Sequence, residues 1–401
     1  MKPIHLFFLI VFWISSLCAQ DSSEIILTIP PEVQEAITGG LEFLRSQQNI
    51  EGDLNKLCAD ANVVCKSGKK YGDCCYGAWK SNIGYKLNQE YRAEKNDYAH
   101  VGATALACLA FLAHGDTPER GEYAECLQAG LHYILNHTMF IDRRKDGSEM
   151  AFINHNGSRM YSHAFATLFL AEVYGMTQNE RVREKLNQAV SLIEDCQNPK
   201  GAWRYQPYAQ DADMSITVCQ VQALRAARNV GIKVSKETIE KAFGYIMKVA
   251  DNRDAGDGYE KLFKYQDIPY SRTSFALTAA GCTALHGVGN YDSKKIRPYL
   301  DQLWIMKEPQ EDKPSKSYFY YYGHYYAAQA FFIEGGTYWE RWYEYICKDF
   351  LRRSRIKMIK RDGKPIEARY WPSKFVGNIY STAMAMVILQ LPYKYLPILE
   401  R

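Results

Sequence analysis

His100-Val101-Gly102-Ala103-Thr104-Ala105-Leu106 and Met214-Ser215-Ile216-Thr217-Val218-Cys219 decide the fold. Each passes from a segment start into a run of small and apolar residues. The pattern returns at Tyr161-Ser162-His163-Ala164-Phe165-Ala166-Thr167-Leu168 and Tyr270-Ser271-Arg272-Thr273-Ser274-Phe275-Ala276. It returns again at Tyr322-Gly323-His324-Tyr325-Tyr326-Ala327-Ala328 and Asn378-Ile379-Tyr380-Ser381-Thr382-Ala383-Met384. The copies recur about every 50 to 60 residues, the period of a repeat architecture. Most should end at a glycine, since glycine accepts the left-handed backbone that closes a helix. Gly115, Gly175, Gly231, Gly287 and Gly335 are the expected stops.

An amphipathic stretch precedes each copy. Val33, Ile37, Leu41 and Leu44 share one helical face, as do Val182, Leu186, Val190 and Ile193, then Ile239, Phe243 and Ile246, then Ile296, Leu300 and Leu303. A helix small and apolar all round is buried on both sides; one with a single apolar stripe is buried on one. Six outer-inner pairs with no strand-like alternation predict an all-α fold, an (α/α)6 toroid of two concentric rings. An open superhelix is the alternative, and neither terminal pair carries the polar capping face it would need.

Composition agrees with a folded globular chain. The 401 residues are 47% hydrophobic and 23% charged, which excludes disorder. Lys plus Arg is 49 and Asp plus Glu 45, too balanced for a nucleic-acid binder. The 30 Tyr, 17 Phe and 7 Trp point to an aromatic-lined cleft or many packed helix ends. Residues 1–19 read as a signal peptide: Lys2, then the apolar run Leu6–Ile14, then Ser15-Ser16-Leu17-Cys18-Ala19. Export to the medium or the periplasm follows, with residues 20–31 as an extension and 32–398 as one toroid domain. No later segment has 18 uninterrupted apolar residues, so no transmembrane segment is expected.

In an oxidising compartment Cys58, Cys65, Cys74 and Cys75, inside an irregular insertion over 53–97, are expected to form two disulfides. Vicinal Cys74 and Cys75 rarely bond to each other, so each should join Cys58 or Cys65. The remaining cysteines fall in helical patterns and are expected as buried thiols.

Gln197-Asn198-Pro199-Lys200-Gly201-Ala202-Trp203 resembles the Gln-x3-Gly-x-Trp repeat of squalene and oxidosqualene cyclases and of the related protein prenyltransferase β subunits. Gln47-Gln48-Asn49-Ile50-Glu51-Gly52-Asp53 is a degenerate copy without the Trp. The stretch from Tyr320 through Gly335-Gly336, Trp339, Arg341-Trp342 and Tyr380-Ser381-Thr382-Ala383 resembles secreted bacterial members of that terpenoid cyclase-like superfamily. The resemblance covers about residues 32–398 and implies the toroid. The motif also has a structural reason: Gly201 permits a tight turn, and the Trp203 indole stacks on Gln197 and covers a helix end.

In such a double ring the N-termini of the inner helices meet at one pole, where their partial positive charge favours an anionic or electron-rich ligand. His100, His163, Asp211, Asp213, Arg272, His324 and Tyr380 are brought there by the repeat, with Tyr205, Tyr208, Tyr270, Tyr322 and Trp371 walling the mouth. Asp211-Ala212-Asp213-Met214 resembles the Asp-x-Asp-Asp motif of squalene-type cyclases. The resemblance would make Asp213 the proton donor and Asp211 its helper. Met214 replaces the last Asp, and helix capping by Asp213 or Ser215 accounts for the same residues. The prenyltransferase zinc site needs an Asp-x-Cys pair that is missing at the corresponding helices, and Gly281-Cys282-Thr283-Ala284-Leu285 lacks the Glu and Gln of a thioester. His100, His163 and His324 with Asp213 have metal-ligand chemistry but no i, i+4 pair to anchor a site, so hydrogen-bonded pore residues are expected instead. No metal and no cofactor are assigned, and no phosphate or dinucleotide fingerprint is present.

Lys348, Arg352, Arg353, Arg355, Lys357, Lys360 and Arg361, against Asp349 alone, form either a solvated end of the sixth outer helix or a docking strip for an anionic surface. Two functions are compatible with all this. One is an exported toroid that binds a ligand or protein partner in its polar mouth. The other is an enzyme, either a divergent terpene cyclase using Asp213 or a carbohydrate-active lyase or hydrolase. Export argues against the cyclase, because its polyprene substrates are made inside the cell.

Overall fold

The computed structural model describes residues 28–50, 75–83, 85–87, 90–92, 98–155, 159–251, 261–307 and 319–399. Twelve α-helices stand among them, and they alternate. The outer set is α1 (Pro31–Gln47), α3 (Ala124–Asn136), α5 (Glu180–Asp195), α7 (Lys236–Val249), α9 (Ser293–Met306) and α11 (Gly336–Arg353). The inner set is α2 (Val101–His114), α4 (Met160–Thr177), α6 (Met214–Asn229), α8 (Phe275–Gly287), α10 (Tyr320–Glu334) and α12 (Gly377–Leu389). Inner helices pack in the order α2, α4, α6, α8, α10, α12, and α12 returns to α2, so the ring closes. Each outer helix after α1 packs mainly against the inner helix that precedes it in the chain, most also touch the one that follows, and α1 packs on α12 and α2. The open superhelix is excluded.

Composition explains which helix goes where. Every residue of α2 from Val101 to Ala113 is buried, whereas α5 buries Val182, Leu186, Val190 and Ile193 and exposes a charged back. Such inner helices owe their stability to burial, because fully enclosing a Leu or Phe contributes about 1.5–3 kcal/mol. The stripe on α7 differs from expectation. Phe243 is exposed, and Ala242, Tyr245, Ile246 and Val249 face inward.

Gly115, Gly231 and Gly335 do stop their helices with positive φ. Gly175 does not: α4 runs on to Thr177 and Gln178 takes the left-handed position. Gly287 is still helical, and Gly289 makes the turn. Residues 270–274 precede α8, whose N-cap is Ser274.

Connections from inner to outer helices are short, as at 178–179 and Gly335. Those from outer to inner helices are long and all lie at the pole where inner helices begin. Five short antiparallel strand pairs occur among their described residues, minor beside the helices and without strand-like alternation in the sequence to announce them. The largest pairs Arg355–Arg361 with Lys364–Tyr370 across an Asp362-Gly363 turn with both φ positive. The basic strip is therefore not one helix end. Lys348 pairs with Glu344, Arg352 and Arg353 pair with Asp349, and Arg361 reaches Glu42 at 2.6 Å and Glu122 at 2.7 Å. Packed on α1, this hairpin ties the last repeat to the first two. At the opposite pole the chain end, Leu391–Leu399, crosses beneath the ring and buries Leu391, Leu396 and Ile398 against inner helices.

Candidate functional site

Two copies of one joint set the geometry of the open pole. Gln197 donates its side-chain amide to Gly201 O and Thr238 O, and Gln48 does the same to Gly77 O and Cys126 O. Gly201 and Gly77 have φ of 84° and 80°, and a Cβ on either would strike a carbonyl of the neighbouring outer helix, Lys241 O or Ala129 O. Trp203 Nε1 then donates to Ile193 O, and Trp79 Nε1 to Leu44 O, each at 2.7 Å. The first copy of the repeat is thus Gln48 with Gly77-Ala78-Trp79, split by an insertion; Gly52 lies outside the described residues. Trp203 covers the helix end by donating to its carbonyl, while the Gln197 amide is spent on backbone. Trp371 repeats the act on Phe350 O at 2.9 Å and is fully buried, so it does not wall the mouth.

The backbone N–H of each of these tryptophans donates to a threonine of the next inner helix: Thr104, Thr217 and Thr382. His163 fills that role in the second repeat, where its Nδ1 accepts from Ile153 N at 3.1 Å and its Nε2 faces Ala189 O. His324 sits among Phe275, Tyr320 and Trp342 near the start of α10, in a separate aromatic box. Burial lowers His163 to about 4 and His324 to about 3. His100 caps α2 by accepting from Ala103 N, and burial lowers it to about 4. The three imidazoles therefore occupy separate neighbourhoods and do not converge with Asp213.

Asp213 has no exposed surface. Its Oδ1 accepts from Ile216 N at 3.0 Å and Ser215 Oγ at 2.5 Å; its Oδ2 accepts from Arg204 at 2.6 Å. Burial pushes its pKa above the ordinary carboxylate value, while Ser215, Arg204 and the Ile216 amide pull against that. Asp211 is exposed and meets the same guanidinium at 3.2 Å. In front of this pair lies a cavity of about 60 Å³ lined by Tyr161, Tyr205, Ser215, Tyr265, Arg272, Ser274, Ala276, Leu277, Phe319 and Tyr322. Tyr161 donates to Ser215 Oγ at 2.7 Å, Tyr322 to Ser215 O at 2.8 Å, and the Tyr205 and Tyr265 hydroxyls meet at 2.5 Å. Burial raises the pKa of all four phenols, so they stay protonated at neutral pH.

Of the residues expected at the mouth, Tyr205, Arg272 and Tyr322 line the cavity. Tyr380 is half-buried on α12 outside it; Tyr270 is 97% exposed, and Tyr208 turns its hydroxyl to Asp195. Arg204, Tyr161 and Tyr265 were not singled out. Arg204 follows the Gly201-Ala202-Trp203 joint directly, which was the available signal. Cys58, Cys65 and Cys74 lie outside the described residues; Cys75 is half-buried. Cys108, Cys126, Cys196, Cys219, Cys282 and Cys347 are buried thiols as expected. No helix among the described residues is long and apolar enough to cross a membrane.

No family model matches the chain, and no curated protein matches it in sequence. Solved structures do. An α-1,6-mannanase of glycoside hydrolase family 76 from Salegentibacter sp. aligns at TM-score 0.54 and 8% identity, over 90% of this chain and 99% of that one. A family 76 mannosidase from Bacteroides thetaiotaomicron gives 0.52 at 10% identity, covering 90% and 98%. Cellobiose 2-epimerase from Bacillus thermoamylovorans gives 0.51 at 14%, covering 90% and 99%. What they share with this chain is the fold. It is an α/α toroid.

Proposed function

We propose that this chain is an exported toroid that binds a small ring-bearing ligand at its tyrosine-lined mouth, with Asp213 as the brace of that mouth. The state of Asp213 carries the reading. Both its oxygens are taken by a helix amide, a serine hydroxyl and a guanidinium, and none of its surface is open. A cyclase acid must present a transferable proton to an alkene, and this carboxylate does not face the cavity. A glycoside hydrolase needs two carboxylates across a cleft, and among the described residues none that lines the cavity carries one. Phenol rings with hydroxyls suit binding: the faces pack on a ring and the hydroxyls accept and donate. Export rests on the apolar run Leu6–Ile14, and kinship with the terpenoid cyclase-like superfamily rests on the doubled Gln–Gly–Ala–Trp joint.

Purified protein incubated with squalene, and separately with soluble polysaccharides, should yield no product by mass. Calorimetric titration with small saccharides and aromatic acids should detect saturable binding that Ala276→Trp, which fills the cavity, abolishes. Polyprene cyclisation that disappears in Asp213→Asn would overturn the proposal.

A further inference from the structure

Two arginines, Arg204 and Arg272, stand at the tyrosine-lined cavity, and the structure treats them differently. Arg204 is consumed by Asp213 at 2.6 Å and Asp211 at 3.2 Å. Arg272 makes no ion pair with any described residue, although it lines the cavity. Its guanidinium lies over the Tyr265 ring at 4.3 Å and nearer to that ring than to Phe319, at 5.7 Å. Stacking of this kind occupies the faces of the guanidinium and leaves its N–H edge for an acceptor in its plane. The backbone beneath is fixed: Tyr265 N donates to Arg272 O at 2.9 Å, and Lys264 bridges Thr273. Two residues on, α8 begins at Ser274, whose hydroxyl accepts from Leu277 N at 3.2 Å. Its first-turn residues Ala276 and Leu277 line the same cavity, so the positive end of a helix adds to the arginine's field. Asp213 is buried and paired with Arg204, so it does not take Arg272 as a partner.

We infer that the ligand of this mouth carries a carboxylate on a ring, that Arg272 binds the carboxylate, and that the tyrosines hold the ring. This rests on the reading of the mouth as a ligand site and adds the ligand's chemical class. A carboxylate matches the arginine's paired N–H groups in geometry as well as charge. A hexuronic acid and an aromatic carboxylic acid both present that chemistry, and matched pairs distinguish them from each other and from uncharged rings.

The test is calorimetric titration of the full chain at low salt with glucuronate against glucose, and with benzoate against benzyl alcohol. At least one acid should bind at least tenfold more tightly than its neutral partner, and the pair that shows this identifies the ring. Added salt should weaken the acid and not the neutral ring. Arg272→Gln, at an exposed position, should keep the wild-type melting temperature while erasing the preference of acid over neutral partner; Arg272→Lys should restore part of it. Equal binding of acid and neutral partner in both pairs overturns this inference alone, as does a preference that survives in Arg272→Gln. If no ring binds the wild type, the ligand-site reading falls and takes this inference with it.

Discussion

At the residue scale, Asp213 combines a cap and an ion pair, and its variants separate the two. Asp213→Asn keeps an acceptor for Ile216 N but leaves Arg204 with only Asp211, so it should cost about 1–2 kcal/mol in urea unfolding. Asp213→Ala loses both and should cost about 2–4 kcal/mol. If the two variants prove equal, the cap contributes nothing. His163 and His324 make the second residue-level prediction. Both are lowered below 6.5, to about 4 and about 3, by burial. The unfolded chain then binds protons that the folded one refuses. Stability is complete above pH 6.5 and falls as pH drops from there toward 4, by about 1.4 kcal/mol per pH unit for each imidazole. His324→Phe keeps the ring among Phe275, Tyr320 and Trp342 and should flatten that slope by one proton's worth. An unchanged slope would show that His324 titrates normally.

At the element scale, the joint between outer and inner helices is the repeated unit. Thr217→Val leaves the buried Trp203 N–H without an acceptor and should cost about 1–3 kcal/mol. Gly201→Ala must fit a Cβ 2.4 Å from Lys241 O at a φ of 84°, so it should be worse, at about 3 kcal/mol or more. Gly77→Ala should match Gly201→Ala, since both glycines occupy one position of the joint; a mild Gly77→Ala would break that equivalence. One copy of this joint was legible in sequence because its Gln and Trp are close neighbours. The other was not, because an insertion parts Gln48 from Trp79 and only the fold brings them back together. The Asp362-Gly363 turn is legible as an Asp-Gly pair between two runs, but the lysines and arginines of the flanking strands hide the apolar alternation that would mark them as a hairpin.

At the scale of the molecule, residues 391–399 close the ring at one pole, and among the described residues the tyrosine-lined cavity lies at the other. Truncation after Gln390 removes Leu391, Leu396 and Ile398 from their burial and should lower stability by about 4 kcal/mol or more, with new binding of a hydrophobic dye. A truncated chain as stable as the whole would show that the tail merely rests there. The insertion offers a further check: if the protein is exported as proposed, thiol counting on the unfolded, unreduced mature chain should find the six buried cysteines free, and ten would exclude the two disulfides expected of Cys58, Cys65, Cys74 and Cys75.

Sequence alone determined the rings. Burial on both sides demands small and apolar residues all round, burial on one side demands a stripe, and both patterns are local and periodic. It also determined which pole would carry polar side chains, because a repeat places equivalent residues at equivalent ends. Which of those side chains meet was decided by tertiary structure alone. His100, His163 and His324 stand near the starts of inner helices, yet a helix turns 100° per residue. His100 is the cap of α2, His163 the fourth residue of α4 and His324 the fifth of α10, so one imidazole goes to the helix's own cap, one to a neighbouring outer helix and one into an aromatic box. Asp213, Arg204 and Tyr265 meet because two separate connections fold over the same helix start, and no spacing in the chain encodes that distance.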